Sequence, residues 1–314
     1  MLQTLQNLDR RILYVTLVVL CSLFLFVPGE LPVSVEKQTV DLYSKLMTIP
    51  TDKPVIIETD WTVSTRGENM GHLESLVRIL MARKVKFAFF TATSEAPAVQ
   101  VSRSVVDRIN EERKKAGLYE YKPGEDYISI GLFPNTEGIQ VAMGQDLRKA
   151  WGDRKVKTAN GDKGVFETSV MKNVNSIKDV SLMVIVTASS TVDTAVERLS
   201  DKVDLGLMCT GVVGGTSLQY YPAQLKGIAN GLKAGYEMEY MMKYGVNVPD
   251  AKGVVKVPAD RPEQIPAVGE GVAMDRASKY YLTLHVALVV LILAVILGNV
   301  TMVMSKRAAN GGAK

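Results

Sequence analysis

Apolar positions follow two kinds of pattern along this chain. Near the ends they form uninterrupted runs, Ile12–Val27 and Tyr281–Met304. Between those runs, short β-branched clusters alternate with apolar residues at helical spacing. Val55–Thr59, Val85–Thr91, Tyr127–Gly131, Leu182–Thr187 and Leu205–Thr210 read as buried strands. Leu73, Leu76, Val77, Leu80 and Met81 fall on one helix face. A longer helix spans Pro97–Gly117, with Pro in a first-turn position and Gly as its stop. Further helices are predicted over Thr136–Trp151, over the segment bearing Val192, Ala195, Val196 and Leu199 behind a Ser190 or Thr191 cap, and over Pro222–Tyr244. Strands alternating with amphipathic helices imply an α/β fold. The expectation is a Rossmann-like three-layer domain with a mainly parallel sheet, flanked by N- and C-terminal transmembrane helices.

The second end run has 24 residues without a formal charge, and about 20 suffice to cross a bilayer core. Tyr280 and Tyr281 open it where interfacial aromatics are expected, and His285 reads as interfacial rather than as a functional intramembrane group. The first run has 16 residues before Pro28. No A-x-A cleavage pattern follows it, and Leu20 stands where a lipoprotein site needs a small residue before Cys21, so an uncleaved anchor fits better than a signal peptide. Arg10 and Arg11 precede the first run, whereas Lys306, Arg307 and Lys314 follow the second and Glu30 and Glu36 lie between them. By the positive-inside rule both termini are cytoplasmic and the main domain is extracytoplasmic at the cell membrane; Arg276 and Lys279 on the outer side oppose this. The expected organisation is therefore a cytoplasmic N-terminus (1–11), a first membrane helix (12–28), a connector (29–53) with a helical stretch at Val40–Met47, and the α/β domain (54–245) with an insertion near 152–178. A Pro-rich strap (246–279), a second membrane helix (280–304) and a cytoplasmic tail (305–314) complete it.

Charge, once divided by region, narrows the partners. The net +4 comes largely from the ends: outside 31–280 there are five basic and two acidic residues, leaving 32 basic against 31 acidic in the domain. That balance lacks the concentrated basic surface of a nucleic-acid partner. The densest basic stretch, Arg148–Lys178, carries eight basic residues to three acidic ones; it reads first as a solvated insertion and second as a phosphate or lipid-headgroup site. Two cysteines and two histidines supply neither a disulfide framework nor a zinc or copper cluster. No metal and no cofactor is expected.

Three stretches carry a resemblance. Glu58-Thr-Asp-Trp-Thr-Val-Ser-Thr-Arg-Gly-Glu68, Gly124-Glu-Asp-Tyr-Ile-Ser-Ile-Gly131 and Tyr221-Pro-Ala-Gln-Leu-Lys-Gly227 resemble uncharacterised prokaryotic proteins that tether an α/β domain to the membrane. The resemblance covers most of the domain and implies no reaction or ligand.

Open parallel sheets bind ligands beyond the carboxyl ends of their strands. Those ends here are rich in hydroxyls and carboxylates. Asp60, Thr91, Ser94, Thr187, Ser189, Ser190 and Thr210 are the candidate ligand-binding residues, and the same residue types are what caps and turns require. Signatures of catalysis are absent: no G-x-G-x-x-G follows the first strand, and there is no P-loop and no G-x-S-x-G elbow. His72 has no identifiable nucleophile beside it, and Asp60 with Glu68 is a weak carboxylate pair.

The most specific pattern is Gly227, Gly231 and Gly235 at four-residue spacing in the predicted last helix, with Tyr236, Tyr240 and Tyr244 on an adjacent ridge. Each Gly inside a helix costs about 0.5–1 kcal/mol against Ala, so three on one ridge imply close backbone approach, either to the domain's own sheet or between subunits. These features lead to a non-catalytic structural or scaffolding membrane protein, held in the bilayer by two helices. It would assemble as a homo-oligomer or with other membrane subunits and bind no nucleic acid. The alternatives are an extracytoplasmic small-ligand-binding or sensory module acting with a partner and, third, a membrane-bound hydrolase or transferase.

Overall fold

The computed structural model describes residues 10–27, 29–92, 97–247, 264–268 and 275–311. Eight strands follow in chain order: β1 Val55–Asp60, β2 Phe87–Thr91, β3 Tyr127–Leu132, β4 Lys155–Thr158, β5 Gly161–Gly164, β6 Leu182–Thr187, β7 Leu205–Cys209 and β8 Leu225–Asn230. The helices are α1 Arg10–Phe24, α2 Lys37–Thr48, α3 Arg66–Ala82, α4 Pro97–Lys115, α5 Thr136–Gln145, α6 Leu147–Trp151, α7 Val192–Leu199, α8 Gly211–Ser217, α9 Gly231–Tyr244 and α10 Arg276–Gly311. They divide into two units, Val33–Met274 and the pair of end segments Met1–Pro32 and Asp275–Lys314.

In the first unit six strands form one sheet in the order β3-β2-β1-β6-β7-β8, and every neighbouring pair is parallel. β1, β2, β6 and β7 are buried at every position. Such strands need cover on both faces, which is why their sequences run apolar instead of alternating. One face packs α5, α6 and α7 through Ile139, Met143, Trp151, Ala195 and Leu199 onto Ile56, Phe90, Ile128, Ile185 and Leu207. The other is covered by α2, α3, α4 and α9. The α3–α4 joint carries a buried ionic group: Arg78 reaches Glu74 and Glu112 at 2.7 Å each, and Arg108 closes on Glu74.

The five strands read from the sequence are present. The helix expected over Pro222–Tyr244 is not. Leu225–Asn230 is the edge strand β8, and the helix begins only at Gly231. The glycine ridge thereby dissolves as a helical feature. Gly227 lies in β8, where an added Cβ would stand 2.3 Å from the Leu42 nitrogen of α2. Gly231 opens α9 with φ +68°, and a Cβ there would lie 3.3 Å from the Gly211 Cα. At these two positions the close backbone approaches are within the chain. The expected Thr136–Trp151 helix is broken into α5 and α6 at Asp146, whose side chain caps α6 by accepting from Lys149 N. The segment expected to be a solvated insertion also contributes to the core: Val156 on the β4–β5 hairpin, then Val165, Val170, Met171, Val174 and Ile177, are buried.

In the second unit, the 29 residues Arg276–Met304 of α10 are long and apolar enough to cross a membrane. α1 is shorter, at 15 residues, or about 22 Å at helical rise, against a hydrocarbon core of about 30 Å. Among the described residues one helix, not two, therefore meets the length for a span. α1 packs along α10, and Gly29 lies against Leu282. His285 Nδ1 pairs with the Tyr281 carbonyl oxygen one turn back, at 2.9 Å. Most of the strap expected over 246–279 lies outside the described residues. Its described part forms a bridge between Val246 and Ile265, and the Tyr43 hydroxyl donates to the Pro266 carbonyl at 2.9 Å.

Candidate functional site at the carboxyl ends of the sheet

Counting only the strands of the large sheet, the order is 3-2-1-4-5-6, so the direction of winding reverses between β1 and β6. In open α/β sheets the crevice beyond the carboxyl ends at such a switch point is where ligands bind. The register shows what occupies it. Asp60 at the end of β1 pairs with Thr187 of β6, Thr187 with Cys209 of β7, and Cys209 with Asn230 of β8. Parallel neighbours in register point to the same face. Four adjacent strands thus present a row of Asp, Thr, Cys and Asn, one level above the apolar row Phe90, Ile185, Leu207 and Ile228.

Within that apolar row β1 places a second acid. Glu58 is two residues before Asp60 and so shares its face. It is wholly buried, and Gln140 of α5 donates to its Oε1 at 2.8 Å. Burial, reinforced by the Asp60 charge and opposed by the Gln140 hydrogen bond, pushes the Glu58 carboxyl up to about 8. At neutral pH it is a neutral acid. Asp60 is 7% exposed. Burial raises its pKa too, against the lowering effect of hydrogen bonds from Thr191 and Thr187. The Thr191 hydroxyl donates to Asp60 Oδ2, and the Thr187 hydroxyl to the Asp60 carbonyl at 3.0 Å. The arrangement is a neutral acid beneath a hydrogen-bonded one, carrying at most a single negative charge.

At β8 the row meets α8, where a Cβ on Gly214 would stand 2.0 Å from the Asn230 side chain, and the first turn of α3 reaches the loop after β7 from the opposite face. Glu68 Oε2 accepts from Gly211 N at 2.9 Å. His72, one turn on, is fully buried, and its ring faces the Gly231 main chain without a well-formed hydrogen bond. Burial lowers its pKa to about 4, so the imidazole is neutral at physiological pH. Burial, with a smaller contribution from Glu68, pushes the Cys209 thiol up to about 12. A thiol held protonated is a poor nucleophile.

Of the residues expected from the sequence, Asp60, Thr187 and Ser189 are brought together. Ser189 N donates to Thr187 Oγ1 at 2.9 Å, and Ser189 Oγ accepts from Thr191 N at 3.3 Å. Thr210 joins through its main chain, donating to the Thr187 carbonyl at 3.2 Å. Ser190 is an exposed rim residue. Thr91 lies a level lower and on the opposite face, where it accepts from the Thr59 hydroxyl at 3.0 Å. Ser94 lies outside the described residues. Glu58, Gln140 and Asn230 belong to the constellation without having been singled out. For Glu58 the signal was present, since i and i+2 on a strand share a face; Asn230 was hidden by reading β8 as helix. Tyr236 is buried, and Tyr236, Tyr240 and Tyr244 follow one another along α9 with tilted rings, their centroids 6.0 and 4.7 Å apart. Among the described residues no group of three or more His, Cys, Asp and Glu side chains is placed to hold a metal.

The class defined by fold and site is thus an α/β protein with a six-stranded parallel sheet and a polar row at its switch point, accompanied by one helix long enough to cross a membrane. No family model matches the chain, and comparison with curated proteins and with solved structures likewise finds no match.

Proposed function

We propose that this chain is a membrane-anchored binding protein whose α/β unit takes a small polar ligand at the switch point, one that offers hydroxyl or ammonium donors. The observation that carries this reading is the in-register row Asp60, Thr187, Cys209 and Asn230 with the neutral Glu58 beneath it. A domain built only for packing gains nothing from two acids on one face of its central strand β1, because buried carboxyl groups cost several kcal/mol unless paired. Asp60 supplies an acceptor, and the site's low net charge disfavours anions. The neutral histidine, the protonated thiol and the lack of a nucleophile support binding over catalysis. In this reading α1 and α10 both engage the bilayer, the termini are cytoplasmic and the α/β unit is extracytoplasmic, as the arginine and lysine flanks favour. Assembly with further copies or membrane subunits belongs to the same proposal.

The test is thermal unfolding of the detergent-solubilised full chain against a panel of polyols, amino sugars, amines and organic acids. A ligand at about 100 times its Kd stabilises by about 2.7 kcal/mol. The expected result is a shift with hydroxyl- or ammonium-bearing compounds that disappears in Asp60→Asn. Equal shifts in wild type and Asp60→Asn, or stabilisation by organic acids alone, would overturn the assignment.

A further inference from the structure

The tripeptide Ala-Asn-Gly occurs three times in this chain, around Asn160, Asn230 and Asn310. In Asn-Gly the asparagine amide is open to attack by the next main-chain nitrogen, because glycine has no Cβ to obstruct the approach. With the local sequence the same, whether the attack occurs depends on how the fold holds the two residues. Asn310-Gly311 closes α10, and the other two pairs lie in the α/β unit in opposite surroundings.

Asn160 sits at the tip of the β4–β5 hairpin, in the turn between the paired residues Thr158 and Gly161. Residues 159–163 are all exposed, whereas Val156 and Val165 on either side are buried. The Thr158 hydroxyl holds the main chain of the turn: its oxygen accepts from Asn160 N at 3.2 Å and donates to the Gly161 carbonyl at 2.6 Å. Among the described residues no hydrogen bond holds the Asn160 side chain. Gly161 has φ +98° and open space where a Cβ would stand. Lys155, Lys157 and Lys163 against Asp162 give the hairpin a positive field, which favours a deprotonated amide nitrogen and an oxyanion. Asn230 is held instead. The Cys209 Sγ lies 3.9 Å from its Oδ1, a Cβ on Gly214 would stand 2.0 Å from its side chain, and Gly231 packs on Gly211.

We infer that Asn160 is a site of spontaneous deamidation, selected over Asn230 by the fold. The Gly161 nitrogen loses its proton to hydroxide and attacks Cγ of Asn160. The tetrahedral intermediate expels the side-chain nitrogen as ammonia, which takes its proton from water, and a cyclic succinimide is left. Water then adds to either imide carbonyl and opens the ring, giving aspartate by cleavage on one side and isoaspartate on the other. The only co-reactant is water, and nothing is oxidised or reduced. Each product places a new carboxylate beside Lys157 and Lys163, and isoaspartate also lengthens the main chain by a methylene. The turn projects from the core, so the change falls on surface charge and turn geometry. It is independent of the switch-point site.

Ageing the full chain in nanodiscs at 37 °C, at pH 6 and at pH 8.5, tests this. Trypsin releases the two sites as the peptides Thr158–Lys163 and Gly227–Lys233. Mass spectrometry reads each peptide as amide or acid against an unaged sample, and electron-transfer fragmentation separates aspartate from isoaspartate. The expected result is conversion of Thr158–Lys163 several-fold faster than Gly227–Lys233, faster at pH 8.5 than at pH 6, with isoaspartate among the products. Asn160→Gln should lose the fast conversion, and the chain aged in guanidinium chloride should convert both sites at comparable rates. No conversion at Asn160 beyond the unaged sample, equal rates at the two sites in the folded chain, a rate indifferent to pH, or a preference for Asn160 that persists in guanidinium would overturn the inference.

Discussion

Glu58→Gln is the substitution that tests the physics of the central acid most directly. In the native protein the Glu58 carboxyl is fully buried between β1 and α5 and binds its proton up to about pH 8. In the unfolded chain it titrates near its ordinary value of 4.5. Between those values the native state holds a proton that the unfolded state has released, so stability falls as pH rises through the window and levels off above it. Each pH unit is worth about 1.4 kcal/mol. The window from 4.5 to about 8 spans about 3.5 units and sets a ceiling near 5 kcal/mol, and water reaching the carboxylate once it ionises lowers the yield to about 2–3 kcal/mol.

Glutamine has the same shape and never ionises. Its carbonyl keeps the bond from Gln140 Nε2, and its amide offers a donor to Gln140 Oε1, which is buried without a partner. Urea unfolding of the detergent-solubilised chain at pH 5, 6, 7 and 8, followed by the fluorescence of buried Trp61 and Trp151, checks this. The variant should match wild type at pH 5 and exceed it by about 2–3 kcal/mol at pH 8. Titrating groups remote from Glu58 cancel in the difference, whereas Asp60, whose charge acts on Glu58, contributes to it. A difference that stays constant across the pH range, or a variant less stable throughout, would refute the protonation argument and with it the neutral acid in the site.

His72 should give the opposite slope. Its native pKa near 4 lies below its ordinary 6.5, so its contribution is present above pH 6.5 and is lost as pH falls toward 4, by about 1.4 kcal/mol per unit; His72→Gln should flatten that acid limb in the same unfolding series, and unchanged acid sensitivity would count against a neutral imidazole. Gly227→Ala should destabilise by about 2–3 kcal/mol, because the methyl meets the Leu42 backbone, which has no rotamer by which to yield. Gly215→Ala, in α8 with open space around the new methyl, should be neutral or stabilising by up to about 1 kcal/mol; equal thermal shifts for the two would contradict the β8–α2 packing.

The contrast between these glycines also explains what the sequence could and could not disclose. Strands buried on both faces carry a strong signal, because every position is apolar or β-branched, and β1, β2, β6 and β7 were legible to within two residues at either end. β8 is an edge strand whose sequence, Leu-Lys-Gly-Ile-Ala-Asn, has little β propensity. Its glycine is required by α2, a partner about 185 residues away in sequence, and falls by coincidence four residues before the glycine that starts α9. Periodicity cannot distinguish such a coincidence from a ridge, because it assumes that one element spans the repeat.

The site suffered from the same assumption in a milder form. Polar residues after each strand were visible one strand at a time, but the row arises from register, which local sequence does not encode in a parallel sheet. Once the order β1-β6-β7-β8 is known, Asp60, Thr187, Cys209 and Asn230 become neighbours, and Glu58 ceases to be an isolated polar residue in an apolar strand. Its placement also couples the fold to the site. Gln140, which anchors Glu58, lies on α5, the same helix that packs Ile139 and Met143 into the core. Any ligand that changes the charge at Asp60 therefore acts on an acid whose protonation the packing of α5 has already biased. A binding event at Asp60 should thus be read in the proton affinity of Glu58: a cationic ligand lowers it, whereas a neutral polyol leaves it near 8.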